Sequence, residues 1–340
     1  MRWISILGAL ALSVFLGGVF YFSQREKNVW HDFSGRMDGR GMPAVFDGFV
    51  ERWNRAVERE LRRELAEGER KEKLLVVSRG EGDGRRLAEQ ARSVERIRKR
   101  LLLKDHIRLL PLEDVPDGLE WQTGMEEPDV GDPRAVRGGK VRLWINTPFP
   151  GTLRAFGPGS ENFFNYSAID NVWLPLVGLH PETFRPIPGL ADRWALSADG
   201  KTVFYHLDPE AAYSDGRIVK AQDFLLNICL RTSGFARDPF WTTLFRSMYD
   251  QITVYGDSVI ALTLPSRGPL LPYMACADFH PAHPGFYHDF NALFLERYQW
   301  KVPPNTGGYM VVPAKIRIGE SITLALSLIH ISEPTRLQLI

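Results

Sequence analysis

The sequence predicts an α/β body with mixed sheets, preceded by an apolar N-terminal helix and a charged helical segment. Three observations carry this reading. Residues 3 to 22 (WISILGALALSVFLGGVFYF) contain no charge. Apolar residues recur every fourth position between residues 49 and 65, among dense opposite charges. Beyond Gly138, short alternating stretches are separated by Asp-Gly turns.

Bulk composition bounds the rest. The 340 residues are enough for a sizeable core, and 44% hydrophobic with 24% charged residues is an ordinary globular balance. A formal net charge of +1 gives no case for a nucleic-acid partner. Only two cysteines are present, which excludes a disulfide scaffold and a four-cysteine zinc site. Cys229 and Cys276 could form one bridge, but both lie in apolar runs (FLLNICL and LPYMACA), and two buried thiols is the favoured reading.

The uncharged run comes first. Twenty helical residues rise about 30 Å, the thickness of a bilayer hydrocarbon core. The run ends in Tyr21 and Phe22, aromatics suited to a membrane interface, and no cysteine follows that could carry a lipid. An uncleaved signal anchor (residues 1–28) is expected rather than a cleaved signal peptide. Arg2 before the run and Arg25 and Lys27 after it weakly favour the opposite orientation.

Residues 43–105 read as helical. Phe49, Trp53, Val57, Leu61 and Leu65 form a slowly winding stripe flanked by Glu51/Arg55, Glu58/Arg62 and Glu67/Lys71 at four-residue spacing. KLLVVS (73–78) is a strand candidate, GEGDG (80–84) a turn, and a second helical pattern runs from Arg85 to Lys104. GEGDG lacks the Lys-Ser/Thr pair of a phosphate loop. A membrane-surface or partner-binding helix pair is one reading of residues 29–110. A solvated spacer sharing no core with the body is the favoured one. Residues 111–137, rich in Pro, Gly and acids, are expected to be a linker.

From Gly138 the texture changes. GGKVRLWIN reads as a strand after a double glycine. WALSADGKTVFYHL (194–207) reads as two strands joined at Ala198-Asp199-Gly200, with Val203, Tyr205 and Leu207 alternating with Phe204 and His206. YSDGRIVKAQDF makes a second turn at Asp215-Gly216 and starts a helix with Asp223 in its first turn.

The order of these motifs resembles the family 5 extracellular solute-binding proteins, receptors of peptide, dipeptide and nickel ABC importers. The matching residues are Gly138-Gly139, Pro188 to Ala191, Trp194, Ser197 to Lys201, Phe204, Ser214 to Gly216 and Ala221 to Asp223. ITVYGDSVIALTLP (252–265), NTGGY (305–309) and IGESITL (318–324) resemble the later strand pair, glycine-tyrosine strand and hairpin. Val219, Lys220 and Gln222 depart from the family pattern at the helix start.

The resemblance implies that residues 138–324 are the first lobe of a two-lobed, type II-like periplasmic binding protein, with ligand held between lobes that close by a hinge. In such a lobe the cleft is reached at Ile145, Asn146, Thr147 and Phe149, whose backbone would hold an extended oligopeptide. The implied role is capture of short peptides on the periplasmic side of the cytoplasmic membrane, anchored or secreted, for delivery to ABC permease subunits. No cofactor, catalytic residue or resident metal is implied. A membrane-tethered sensor with the same fold, or a receptor for nickel complexes, is the alternative. The motif residues themselves read as turns and core.

Two further readings follow. The eleven residues 326–336 (LSLIHISEPTR) match the translation of a common transposase sequencing adapter, so residues 325–340 are expected to be an assembly artefact that packs poorly, with the second lobe missing. His280, His283 and His288 in FHPAHPGFYH are candidate metal ligands, but Pro281 and Pro284 favour a rigid loop instead. A hydrolase is disfavoured, since no nucleophile elbow, HExxH or Walker motif occurs.

Overall fold

The structure is a computed structural model, described here for residues 17–22, 42–78, 83–128, 134, 138–169, 172–268 and 270–327. Its frame is a five-stranded sheet. Strand β2 (Ile107–Leu110) runs parallel to β8 (Gln251–Tyr255), and antiparallel pairs then link β8 to β9 (Val259–Thr263), β9 to β7 (Thr202–Leu207) and β7 to β6 (Ala191–Leu196). The β6–β7 turn lies at the predicted Ala198-Asp199-Gly200. Gly200 adopts φ +64°, and Asp199 Oδ1 accepts from Ser197 Oγ (2.6 Å) and the Lys201 amide (3.1 Å).

Alternation along β7 divides its side chains between two covered faces. Val203, Tyr205 and Leu207 join the main core, while Phe204 packs on the other face with Ala195, Tyr255, Val259 and Ala261. That second face is covered by Leu110, Val115, Leu119 and Trp121. The expected linker is therefore in part a cover for the sheet. Its apolar side chains, spaced among acids, find a sheet face that would otherwise be wet. Gln122 also bridges Trp194 through paired backbone hydrogen bonds of 2.8 and 2.9 Å.

A four-stranded sheet has the order β10-β11-β1-β3, formed by β10 (Tyr309–Val311), β11 (Ser321–Leu326), β1 (Gly17–Phe22) and β3 (Arg142–Ile145). β4 (Val177–Leu179) and β5 (Pro186–Pro188) make a small ribbon. β1 corrects the expected membrane helix over its last six residues. A glycine pair followed by Val-Phe-Tyr-Phe is poor in helix propensity and rich in strand formers. Residues 1–16 lie outside the described residues. Among the described residues no helix is long and apolar enough to cross a membrane.

The charged segment forms an antiparallel helical hairpin, α1 (Phe49–Ser78) and α2 (Asp83–Leu102). KLLVVS is the end of α1 rather than a strand. Extending an existing helix adds a hydrogen bond per residue without a new nucleus, which overrides the local preference of Val76 and Val77. The expectation that this segment shares no core with the body is overturned. Phe49, Trp53, Val57 and Leu61 belong to one hydrophobic cluster with Trp194, Tyr205, Phe224 and Phe279. Leaving four such side chains in water would forgo about 1.5–3 kcal/mol each, so the stripe seeks a core.

Polar contacts fix the same junction. The Asn54 amide donates to Ile107 O and accepts from Ile107 N, both at 2.8 Å, satisfying the outer edge of β2. Trp53 Nε1 donates to His106 Nδ1 at 2.9 Å, and His106 Nε2 donates to Tyr249 O at 2.8 Å. Desolvation lowers the His106 pKa to about 4.

Helices α3 (Phe163–Ala168), α4 (Ala221–Arg231), α5 (Pro239–Met248), α6 (Leu271–Met274) and α7 (Phe294–Arg297) complete the described body. Cys229 and Cys276 are buried and unbridged, and burial pushes their thiols up to about 12 and 11. The tail reading meets structure at three residues, Ala325, Leu326 and the fully buried Ser327, which are packed rather than loose. Leu326 pairs with Tyr309 at the end of β11, and the Ser327 amide donates to Gly308 O at 2.7 Å. Strand pairing uses backbone groups and so tolerates a change of sequence. Residues 328–340 lie outside the described residues.

Candidate functional site

A cavity of about 700 Å³ opens where α3, α4, α5 and the 277–282 loop converge. One wall is the 155–162 loop. Its shape is set by Asn165, buried in the first turns of α3, whose Nδ2 donates to Thr152 O (3.0 Å) and Ser160 O (2.9 Å). Asn162 caps α3 by accepting from the Asn165 amide at 2.9 Å. Gly157, at φ +93°, lies where a Cβ would come within 3.0 Å of Ala236 O, so the loop packs closely on the stretch between α4 and α5.

The lining combines aromatic surface with both signs of charge. Phe156, Phe163, Tyr166, Trp173, Trp241 and Tyr287 supply the rings. The Arg231 guanidinium sits 4.0 Å from the Trp241 ring centroid and 5.6 Å from that of Phe156. Glu161 and Asp278 bring carboxylates. His280 lies in the wall with part of its surface open; burial of the rest of the ring, and then the Arg231 charge, lower its pKa to about 4. The imidazole is thus neutral at pH 7.

The four residues expected at the cleft lie beside this cavity and not in its lining. Ile145 is buried in a cluster with Leu153, Phe164 and Ile322. Phe149 packs 4.9 Å from Phe164 and 6.3 Å from Trp300. Their side chains are committed to packing. Asn146 is exposed, and the half-buried Thr147 donates its amide to Ile145 O at 2.9 Å. The link to the cavity is α3, which turns Phe164 toward Phe149 and Phe163 and Tyr166 toward the cavity.

The three histidines do not converge. His283 is fully buried, with Nε2 3.0 Å from Asp215 Oδ2 and Nδ1 accepting from the Phe286 amide at 2.9 Å. His288 faces Gly285 O and Asp289 near the surface. Among the described residues no group of three His, Cys, Asp or Glu side chains could hold a metal ion.

The Asp215–His283 pair instead ties the Ser-Asp-Gly turn to the proline loop. Burial pushes the Asp215 carboxyl up, but the neighbouring His283 together with the backbone amides of Arg217 and of Asp215 itself leave its pKa below the usual value. Tyr213 places its ring edge 4.7 Å from His283 and donates its hydroxyl to Asp223 Oδ2 at 3.2 Å. The Lys220 amide donates to the same oxygen at 3.0 Å. Desolvation raises the Asp223 pKa to about 6 despite these bonds. The motifs read as turns thus form a buried polar network that seats α4, whose far end carries Arg231.

No family model matches the chain, and no curated protein matches it. Solved structures do. OppA of Haemophilus influenzae in complex with RPPGFSPFR is 16% identical, with a TM-score of 0.44 over 54% of this chain and 37% of that one. The murein tripeptide binding protein MppA of Escherichia coli is 16% identical, with a TM-score of 0.40 over 52% and 40%. NikZ of Campylobacter jejuni in complex with Ni(L-His) is 16% identical, with a TM-score of 0.33 over 46% and 34%. The chain spans two fifths or less of the length of these three proteins. They fall in the class that the sequence motifs resemble.

Proposed function

We propose that this chain is part of the substrate-binding component of an ABC importer, capturing short peptides outside the cytoplasmic membrane for delivery to a permease. The observation that carries the reading is the cavity of about 700 Å³, with its aromatic rings, Arg231, Glu161 and Asp278, on the body that holds the ordered motif series. Its chemistry suits a zwitterion. Arg231 can meet a carboxylate, the acids an ammonium, and the rings the side chains between. The Asn146–Thr147 edge would extend this face toward peptide backbone.

A second lobe would complete the site. Enclosure excludes water and strengthens each polar contact. On an open face a hydrogen bond contributes only about 1 kcal/mol, and two or three of them do not offset an association cost of roughly 4 kcal/mol or more. Calorimetry against a mixed di- to pentapeptide library tests this, with Trp173 and Trp241 fluorescence as a second readout. The 340-residue chain should bind no tighter than about millimolar, and a chain including a second lobe should reach micromolar and lose affinity with Arg231→Ala. Micromolar binding by the present chain, unaffected by Arg231→Ala, would place the site elsewhere.

A further inference from the structure

We infer that Asn227 reads a peptide unit of the ligand, so that the cavity takes the C-terminal end of a peptide; this rests on the reading of the cavity as a peptide site. Asn227 lies inside α4, in the run FLLNICL, where Phe224, Leu225, Leu226, Ile228 and Leu230 fill the cores on either side. It is the one amide among those apolar side chains. It is 9% exposed, and it lines the cavity. Among the described residues its carboxamide has no hydrogen-bond partner. A buried amide without a partner opposes folding, and a leucine at the same place would not. The side chain is therefore set for a group that enters from the cavity.

The chemistry of a carboxamide narrows what that group can be. Its nitrogen donates and its oxygen accepts. A carboxylate has no proton to give and leaves the oxygen unmet. An ammonium leaves the nitrogen unmet, and a hydrocarbon leaves both. A peptide unit brings an N–H and a C=O and meets both. The deciding group is neutral, so the selection does not turn on the balance of charge in the lining. Position fixes which unit is met. Asn227 and Arg231 are four residues apart on one face of α4, with about 5–6 Å between their Cβ atoms. The Arg231 guanidinium is held over the Trp241 ring at 4.0 Å. An extended peptide advances about 3.3–3.6 Å per residue. A terminal carboxylate at Arg231 thus sets the last or next-to-last peptide unit against Asn227. A neutral sugar could also give and accept at Asn227, but it brings no carboxylate for Arg231.

A matched pair of probes tests this on the full chain by ligand-observed NMR titration, which reads weak binding. N-acetylphenylalanine carries one amide, one carboxylate and one ring. O-acetyl-phenyllactate is its ester isostere, with oxygen in place of the N–H. The wild-type chain should prefer the amide by about tenfold. Asn227→Leu should weaken the amide to the level of the ester, and Arg231→Ala should weaken both alike. Asn227→Ala should match Asn227→Leu, which covers the case of a leucine that closes the cavity. Thermal denaturation gives a reading without ligand. An amide with no partner adds nothing to stability, so Asn227→Leu should hold or raise Tm. A fall in Tm of several degrees would show that Asn227 serves packing, and would overturn the inference. Equal binding of the two probes by the wild type would overturn it as well, and if Arg231→Ala still weakened both, the peptide reading would stand. Absence of binding by either probe would also overturn it. Glucose bound by the wild type and lost in Asn227→Leu, with no preference between amide and ester, would assign the residue to a hydroxylated ligand instead.

Discussion

The sheet region and the hairpin each bury a tryptophan in the same core, but they are held there by different means. Trp194 sits in β6, paired by backbone to β7 and bridged to Gln122, with its Nε1 donating to Gln122 Oε1 at 3.2 Å. Trp53 sits on α1, which has no ladder to the body. It depends on side chains: its own indole on His106, Asn54 on the edge of β2, and Arg246 stacked 5.2 Å from the Trp53 ring. A ladder spreads its hold along the chain, whereas side-chain packing concentrates it at the root. The two halves of α1 should therefore respond very differently to substitution.

The largest expected effects test that contrast. Trp194→Ala and Trp53→Ala should each cost about 3–5 kcal/mol in urea denaturation, since both leave a cavity in one cluster. Leu74→Ala at the tip should stay within about 0.5 kcal/mol. A cost below about 1 kcal/mol for Trp53→Ala, or a separate early transition for the hairpin, would show that the root is not part of the cooperative core.

Acid sharpens the comparison, because each region holds a buried titratable group of opposite sign. His106 has a folded pKa of about 4, below its usual 6.5. Its contribution is full above pH 6.5 and is lost as pH falls toward 4, by up to about 3 kcal/mol. Asp223 has a folded pKa of about 6, above its usual 3.8. Its contribution is full below pH 3.8 and is lost as pH rises through 6, by a similar amount. The two slopes oppose one another in the wild type. Asp223→Asn keeps an acceptor for the Lys220 amide and should gain on the wild type by up to about 3 kcal/mol between pH 4 and 7.5. His106→Asn should flatten the acid loss between pH 6.5 and 4. Parallel stability curves for wild type and both variants would refute this assignment.

How much of this was legible follows from where each signal lies in the chain. The turn at Ala198-Asp199-Gly200, the alternation of Val203, Tyr205 and Leu207 against Phe204, and the helix start at Asp223 are local patterns, and they stand as read. The stripe from Phe49 to Leu61 was visible, but a stripe does not say which surface covers it. The cavity was invisible for a stronger reason. Phe163, Trp173, Arg231, Trp241 and His280 come from five separate segments, and their meeting is a product of packing. His280 was noticed as a possible ligand, and it lies in the cavity wall beside Pro281. Asp215 read as a turn residue because nothing in its neighbourhood announces His283, 68 positions away.

The smallest expected effect lies where the hairpin turns from root to tip. Gly68 is helical, and replacing it with Ala should gain about 0.5–1 kcal/mol of helix propensity. A Cβ there would meet Val94 Cγ2 at 3.0 Å and Gln90 Nε2 at 3.4 Å. The Gln90 amide can swing aside, but Val94 is 1% exposed and β-branched, so relief must come from a shift of α2. That shift would also stretch the Gln90 bond to Gly68 O, so Gly68→Ala should lose its propensity gain and end slightly destabilising, within about 1 kcal/mol. Gly84 offers the matched control, since nothing lies within 4 Å of its Cβ position and it is also helical. Gly84→Ala should therefore keep a gain of up to about 0.5–1 kcal/mol. Equal gains at both positions in thermal denaturation would mean that α1 and α2 are not in tight contact at Gly68, and that the hairpin splays before it reaches its tip.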